Sequence, residues 1–226
     1  MAQPARPKRT LISNMTSGLT LQNIRISLQS RELVAIDKHV VRGEILTVMG
    51  PSGSGKSSLF AFLAGFLDPA FQATGHVLVD GVDITAKPAH QRHLGLLFQD
   101  PLLFPHMDVA GNLTFALPPN MKGKAARRLR ADAALKDIGL EGFGNRDPDT
   151  LSGGQKARVA LMRTLLSEPK ALLLDEPFSK LDAELRGQMR DIVFGTAKRL
   201  MLPTVLVTHD EADAETAGGP VIRLTL

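Results

Sequence analysis

The sequence predicts an α/β fold with a helical lobe inserted into it, and three observations carry that prediction. First, an apolar strand, Ile45 to Met49, runs into a glycine-rich turn, Gly50 to Gly55, and then into an apolar helix, Leu59 to Phe66. Second, the apolar run Leu172-Leu173-Leu174 ends on two carboxylates, Asp175 and Glu176, as a buried parallel strand would at its ligand-facing end. Third, strand-like and helix-like segments alternate on both flanks, whereas from Asp108 to Leu140 the apolar residues recur at helical spacing.

Taken in order, residues 1–18 are polar with two prolines and are expected to be flexible, leaving residues 19–226 as a single domain with a helical subdomain at about 99–160. Leu19 to Leu28 alternates, with a phase slip at Gln22-Asn23 that is either a bulge or a turn between paired strands. Leu33 to Ile36 and His39 to Val41 are short extended pieces that lead through Arg42-Gly43 into the strand Ile45 to Met49.

Residues 50–57 then spell G-x-x-x-x-G-K-S between a strand and a helix, which is the context this motif requires. Across Gly50, Pro51, Ser52, Gly53, Ser54 and Gly55, glycines let backbone N–H groups turn inward around phosphate oxygens. The helix start adds unpaired donors and partial positive charge. Lys56 would neutralise the β- and γ-phosphates, the Ser57 hydroxyl would complete a Mg²⁺ shell, and Ser58 would reach the α-phosphate. The motif predicts a nucleoside triphosphate site and leaves open what the site drives.

Further on, Gly75 to Asp80 is expected as a strand closed by a turn at Gly81, and Leu94 to Phe98 as a buried strand ended by Gln99-Asp100-Pro101. Ala125 to Ile138 is the clearest helix of the middle lobe, after breaks at Pro118-Pro119 and Gly123. Its basic residues, with Lys122, Lys124, Arg127, Arg128 and Arg130 clustered, read as a solvated face or, less simply, as a contact with lipid headgroups. A helix from Lys156 to Leu166, a strand from Lys170 to Leu174, a helix from Leu185 to Leu200 and a strand from Thr204 to Val207 follow. Thr208-His209-Asp210, a short polar helix and a strand from Val221 to Leu226 complete the chain.

Composition narrows the function. The chain has no cysteine, so disulfide and zinc-thiolate chemistry are excluded. No run approaches the roughly 20 apolar residues of a membrane span. A soluble intracellular protein is expected, with no secretory signal at its N-terminus. The net charge is only +4, there is no Trp or Tyr, and no Phe lies in either basic stretch, so nucleic acid is not expected as a partner.

Two further groups carry chemistry. Asp175 would hold Mg²⁺ through a water and Glu176 would polarise the attacking water, although Asp-Glu after a strand also occurs in helix caps. Leu151-Ser152-Gly153-Gly154-Gln155 before a helix is either a plain N-cap by Ser152 or a second anion site. One γ-phosphate does not need two glycine cradles from one chain. A head-to-tail dimer, with Ser152, Gly153 and Gly154 covering the nucleotide on Lys56 of a second copy, would use both.

Gly50–Ser57, Gln99, Leu151–Gln155, Leu174–Pro177, Ser179–Asp182 and His209 stand in the order and spacing of the nucleotide-binding subunits of ABC transporters, and the resemblance covers about residues 19–226. It implies a RecA-like P-loop NTPase core with an antiparallel β subdomain and an inserted helical subdomain. It implies ATP and Mg²⁺, with Gln99 sensing the metal and the water, Gln155 closing the signature, Asp182 at the dimer interface and His209 contacting the γ-phosphate. It also implies a homodimer in the ATP-bound state on the cytoplasmic face of the inner membrane, with integral permease subunits and a periplasmic substrate-binding protein.

Glu176-Pro177-Phe178-Ser179 resembles bacterial importers of the maltose, polyamine, iron and thiamine type, and the short form looks most like the thiamine-type importer ATPases and related bacterial subunits. A C-terminal regulatory domain of the kind sugar and polyamine importers carry is not expected after His209. An exporter ATPase is the alternative. A non-transport ATPase of this family is less favoured, because the stretch from Gln99 to Leu151 is too short for a coiled-coil insertion. Two expectations remain. Leu102, Leu103 and Phe104 between two prolines would dock a membrane subunit, or else pack within the helical lobe. The resemblance puts Leu28 at the position where the family stacks adenine on an aromatic ring, so base selectivity is expected to be weak.

Overall fold

The computed structural model describes residues 17–225. The segment expected to be flexible, residues 1–18, lies outside the described residues apart from its last two. Two sheets form. Strands β1 (Gly18–Leu28), β2 (Arg31–Val41), β4 (Phe71–Val79) and β5 (Val82–Asp83) make an antiparallel sheet in the order β2-β1-β4-β5. Strands β3 (Ile45–Met49), β6 (Leu94–Leu97), β7 (Ala171–Asp175), β8 (Thr204–Val207) and β9 (Val221–Arg223) make a parallel sheet in the order β6-β7-β8-β3-β9.

The phase slip at Gln22-Asn23 is a bulge, not a turn. Pairing with β2 shifts register between Leu21 and Ile24, and pairing with β4 shifts between Gln22 and Arg25. One extra residue reverses the side-chain alternation. Leu19 and Leu21 before it and Ile24 and Ile26 after it therefore all face the core and are fully buried. The two short pieces expected at 33–36 and 39–41 are one strand: Lys38 pairs with Leu21, Ile36 with Ile24, and Asp37 between them lies opposite the bulge. Strand β4 starts at Phe71, four residues before the Gly75 expected, since Phe71 to Thr74 pair with β1 beyond the bulge. Asp80 and Gly81, both at positive φ (49° and 77°), make the two-residue turn into β5.

The strands of the parallel sheet are short apolar runs because both faces are covered. Alternate residues of β7 divide between two cores. Ala171 and Leu173 join a cluster with the antiparallel sheet and α1 (Lys56–Ala64), while Leu172 and Leu174 join one with α5 (Ala183–Arg199). A third cluster is wholly helical. Helices α2 (Val109–Ala116) and α3 (Lys124–Asp137) pack through Val109, Leu113, Ala131 and Leu135 onto Val159 and Leu166 of α4 (Gly153–Leu166). Helix α4 also sends Ala160 and Leu161 into the α5 cluster, so it belongs to both. A last helix, α6 (Glu211–Ala217), follows β8.

The basic stretch is only partly a solvated face. Arg127 donates to the carbonyl oxygens of Thr114, Leu117, Pro118 and Met121 at 2.6–3.1 Å, which ties α3 to the end of α2 and to the loop that follows it. Arg128 donates to Asp108 and Asn145. Lys122, Lys124 and Arg130 are exposed.

Candidate functional site

The phosphate loop lies between the carboxyl end of β3 and the start of α1. Gly55, at φ 92°, is the residue before the first turn, and a Cβ there would lie 2.8 Å from Val34 Cγ2 and 3.0 Å from Leu33 Cβ. Both the left-handed backbone and the close approach of β2 require glycine. No side chain caps α1, so its first N–H groups point without helical acceptors into the cavity that Ser57 and Ser58 line. The Lys56 ammonium donates to the carbonyl oxygens of Gly50 and Pro51 at 2.7 and 2.8 Å, held over the loop it would serve. Ser54 is buried beneath the loop.

That cavity measures about 920 Å³. Its walls bring together Ser52, Gly53, Gly55, Lys56, Ser57 and Ser58 with Glu176 and His209 from the ends of β7 and β8. Glu176 follows Asp175 with its backbone at φ 44°, and its N–H donates to the Val207 carbonyl at 2.8 Å. The Ser179 hydroxyl donates to the Glu176 carbonyl at 2.8 Å. These bonds hold a strained residue in place, and its carboxylate lies 3.1 Å from His209 Nδ1. Burial pushes the Asp175 carboxyl up from the ordinary carboxylate value, Glu176 adds to the rise, and the Lys56 ammonium opposes it.

Ser57, Asp175 and Gln99 would offer hard oxygen donors, the kind Mg²⁺ takes. Among the described residues no group of three His, Cys, Asp or Glu could cage a metal. That fits Mg²⁺, which is usually bound through one or two carboxylates with substrate phosphates and water. A carboxyl group whose ionisation is resisted by burial and a neighbour would gain from a cation beside it.

Other residues singled out from sequence stand apart from this cavity. Gln99 and Gly153 line a separate small cavity of about 140 Å³ with Pro101, Phe178 and Lys180. Lys180 pairs with Asp100 across it. Ser152 caps α4 in a capping box, in which Gln155 N–H donates to its Oγ at 3.3 Å and Ser152 N–H donates to Gln155 Oε1 at 2.9 Å. The Gln155 side chain is thereby engaged within its own turn. Asp182 caps α5, accepting from Leu185 N–H at 2.9 Å. Gly154 abuts α5, whereas Gly153 faces open space. Phe178 is a core residue, stacked edge-on against Phe194.

Sequence reasoning missed three features. Phe71 and Arg31 line the main cavity beside Leu28, at its end away from the catalytic carboxylate candidates. Placing the β4 start at Gly75 left Phe71 in a loop; its pairing with Leu28 is visible only in the folded sheet. Arg186 and Arg190 of α5 were also passed over. Arg186 donates to Asp210 and to the Leu181 carbonyl, and Arg190 donates to Asp210 and Asp213, which ties the Asp182 segment to the turn holding His209. The third is Arg163, which donates to the Pro101 and Leu102 carbonyls.

A family model described as ABC transporter matches residues 33–179. The chain is 49% identical over 196 residues to the ABC transporter ATP-binding protein YnjD of Escherichia coli K12, covering 86% of this chain and 90% of YnjD. It is 40% identical over 197 residues to the Fe(3+) ions import ATP-binding protein FbpC of Rhizobium etli, covering 87% of this chain and 55% of FbpC. It is 37% identical over 217 residues to the putrescine transport ATP-binding protein PotG of Escherichia coli K12, covering 96% of this chain and 57% of PotG. The chain thus spans little more than half the length of the latter two. The phosphate loop, the carboxylates at the end of β7 and this likeness over most of the chain agree: the protein belongs to the ABC transporter family, as one of its ATP-binding subunits.

Proposed function

We propose that this chain is the ATP-hydrolysing subunit of a bacterial importer, acting as a head-to-tail homodimer beneath separate permease subunits that receive solute from a binding protein. The observation that carries the reading is the convergence of the phosphate loop with Glu176 and His209 in one cavity. The likeness to relatives named for import of Fe(3+) and transport of putrescine supports the direction of transport. No helix among the described residues is long and apolar enough to cross a membrane. In this reading the subunit is peripheral to the membrane, on its cytoplasmic face, and the passage is built by other chains.

The work of each residue follows from its place. Loop N–H groups and the α1 start hold the polyphosphate, and Lys56 exchanges its two carbonyl partners for phosphate oxygens. Ser57 and Asp175 would hold Mg²⁺, with Gln99 reaching it as the lobes close; when bound, the ion supplies charge neutralisation on the phosphates. Glu176 accepts the proton of the attacking water, and His209 beside it orients that carboxylate and reaches the terminal phosphate. Ser152 and Gly153 of a second copy cover the nucleotide from the far side, and Asp182 lies at that interface. The domain expected for residues 19–226 acts as one unit, with α2, α3 and α4 as its helical part.

The decisive experiment is Glu176→Gln. Hydrolysis should fall roughly 10²–10⁴-fold, the usual scale for a general base. ATP binding should persist, and size-exclusion chromatography with ATP should show a dimer. Turnover close to the unsubstituted rate would remove Glu176 from this role.

A further inference from the structure

The cavity extends well beyond what a triphosphate fills. The phosphate loop, Glu176 and His209 line one part, with Leu33 against the loop at Gly55, and Leu28, Gln29, Arg31 and Phe71 of the antiparallel sheet form the other end. This second end is built by strand pairing. Leu28, the last residue of β1, is registered directly against Phe71, the first of β4. Residues opposite one another in an antiparallel pair share a face of the sheet. The two side chains therefore stand side by side on one wall.

Phe71 is half-buried and packs on the main core cluster, which supports its ring from behind. Leu28 remains 38% exposed, a large apolar side chain open to the cavity. Gln29 and Arg31 add polar groups to the same lining. An apolar wall with polar groups beside it, in the cavity that the phosphate loop also lines, offers a surface for a base and a sugar as well as for phosphates.

We propose that Phe71 is the base-binding residue of this chain: the purine lies against the Phe71 ring with Leu28 beside it. The aromatic surface comes from β4, across the ladder from the β1 position at which a ring was sought. The expectation of weak base selectivity, which rested on Leu28 alone, is replaced by a preference for purine over pyrimidine. The proposal rests on the reading of the phosphate loop as the ATP site.

The test uses the full chain, which has no Trp or Tyr, so Phe71→Trp introduces its only indole. Its emission should be quenched by ATP and left unchanged by inorganic tripolyphosphate. By calorimetry, Phe71→Ala should weaken ATP about tenfold, or 1.4 kcal/mol, within the range for one base on one ring, while tripolyphosphate binds as before. In the unsubstituted chain ATP should bind tighter than CTP, and Phe71→Ala should shrink that difference.

Tripolyphosphate serves as the folding control. A variant that binds neither ligand has lost its fold, and Phe71→Trp then decides alone. ATP affinity unchanged within twofold in Phe71→Ala, or an indole indifferent to ATP that binds, would overturn the proposal and leave the phosphate site standing. If neither ATP nor tripolyphosphate binds the unsubstituted chain, the phosphate-loop reading falls, and this one with it.

Discussion

Gly153 and Gly154 are neighbours in sequence that are glycine for different reasons, and alanine at each should separate them. A Cβ at Gly154 would sit 2.3 and 2.6 Å from the Leu185 methyls and 2.9 Å from its Cγ. Leu185 must turn or α4 must move off α5, an overpacking cost of about 1–3 kcal/mol. Helix propensity returns about 0.5–1 kcal/mol. The net loss for Gly154→Ala is therefore about 0–2.5 kcal/mol, or up to roughly 10 °C in melting temperature at about 2–4 °C per kcal/mol for a chain of this size. A Cβ at Gly153 meets nothing within 4 Å, and its φ is not positive. Gly153→Ala should raise the melting temperature by roughly 1–4 °C from propensity alone. Within one chain, then, nothing requires glycine at 153. If a second copy presses its nucleotide there, the added methyl should weaken the ATP-dependent dimer by about 1–3 kcal/mol, roughly 5- to 150-fold, and lower hydrolysis with it. Circular dichroism melts, ATP-dependent dimerisation in the Glu176→Gln background and steady-state hydrolysis measure all three. Gly153→Ala chains that melt higher yet dimerise and hydrolyse ATP at the unsubstituted rate would refute the sandwich.

Asp175→Asn should trade function for stability. The folded carboxyl sits above its ordinary value, chiefly through burial, so the folded chain gives up stability as pH rises past the unfolded carboxylate value and Asp175 ionises. The variant should melt higher at pH 7, the gain should vanish below about pH 4, where the group is protonated in both states, and Mg²⁺-dependent hydrolysis should be lost; an equal gain at pH 3 and pH 7 would contradict this origin. Leu102, 57% exposed, and Phe115, 63% exposed and edge-on to Phe104, are exposed apolar residues that we read as part of the permease contact. The chain has no cysteine, so Leu102→Cys and Phe115→Cys each add a single thiol. Both should crosslink to a co-expressed permease subunit, and failure of both in an assembled transporter would place the contact elsewhere.

Local chemistry made much of this legible. The phosphate loop announces itself because every one of its constraints is close in sequence: a strand before, φ-permissive glycines within, a helix after. Ser152 as an N-cap and the β8 strand are of the same kind. What was hidden depends on pairing between distant segments. The Gln22-Asn23 slip could be a bulge or a turn until β4 was seen to share it. Phe71 looked like a loop residue because its partner, Leu28, lies 43 positions earlier. Arg127 looked solvated because a basic residue on a polar helix gives no sign that four carbonyls of another element await it. The docking cluster divided. Leu102 is exposed, Leu103 packs between the helical cluster and the cluster that α5 makes with the parallel sheet, and Phe104 is held by Asn112 through its backbone.

Helix α4 is the one element that neither lobe owns. At its start stands the Ser152 cap, and three turns along Arg163 grips the Pro101 and Leu102 carbonyls with two bonds of 3.1 and 2.7 Å. Those two points are about 16 Å apart at 1.5 Å per residue. An α-helix of this length is stiff, and a guanidinium gripping two carbonyls is a short, directional link. The exposed loop and the serine therefore sit on a common rod: the loop can be pushed only by breaking both bonds or by carrying the far end with it. If that loop is the permease contact, a load taken there would be carried along α4 to the surface that would face the other nucleotide.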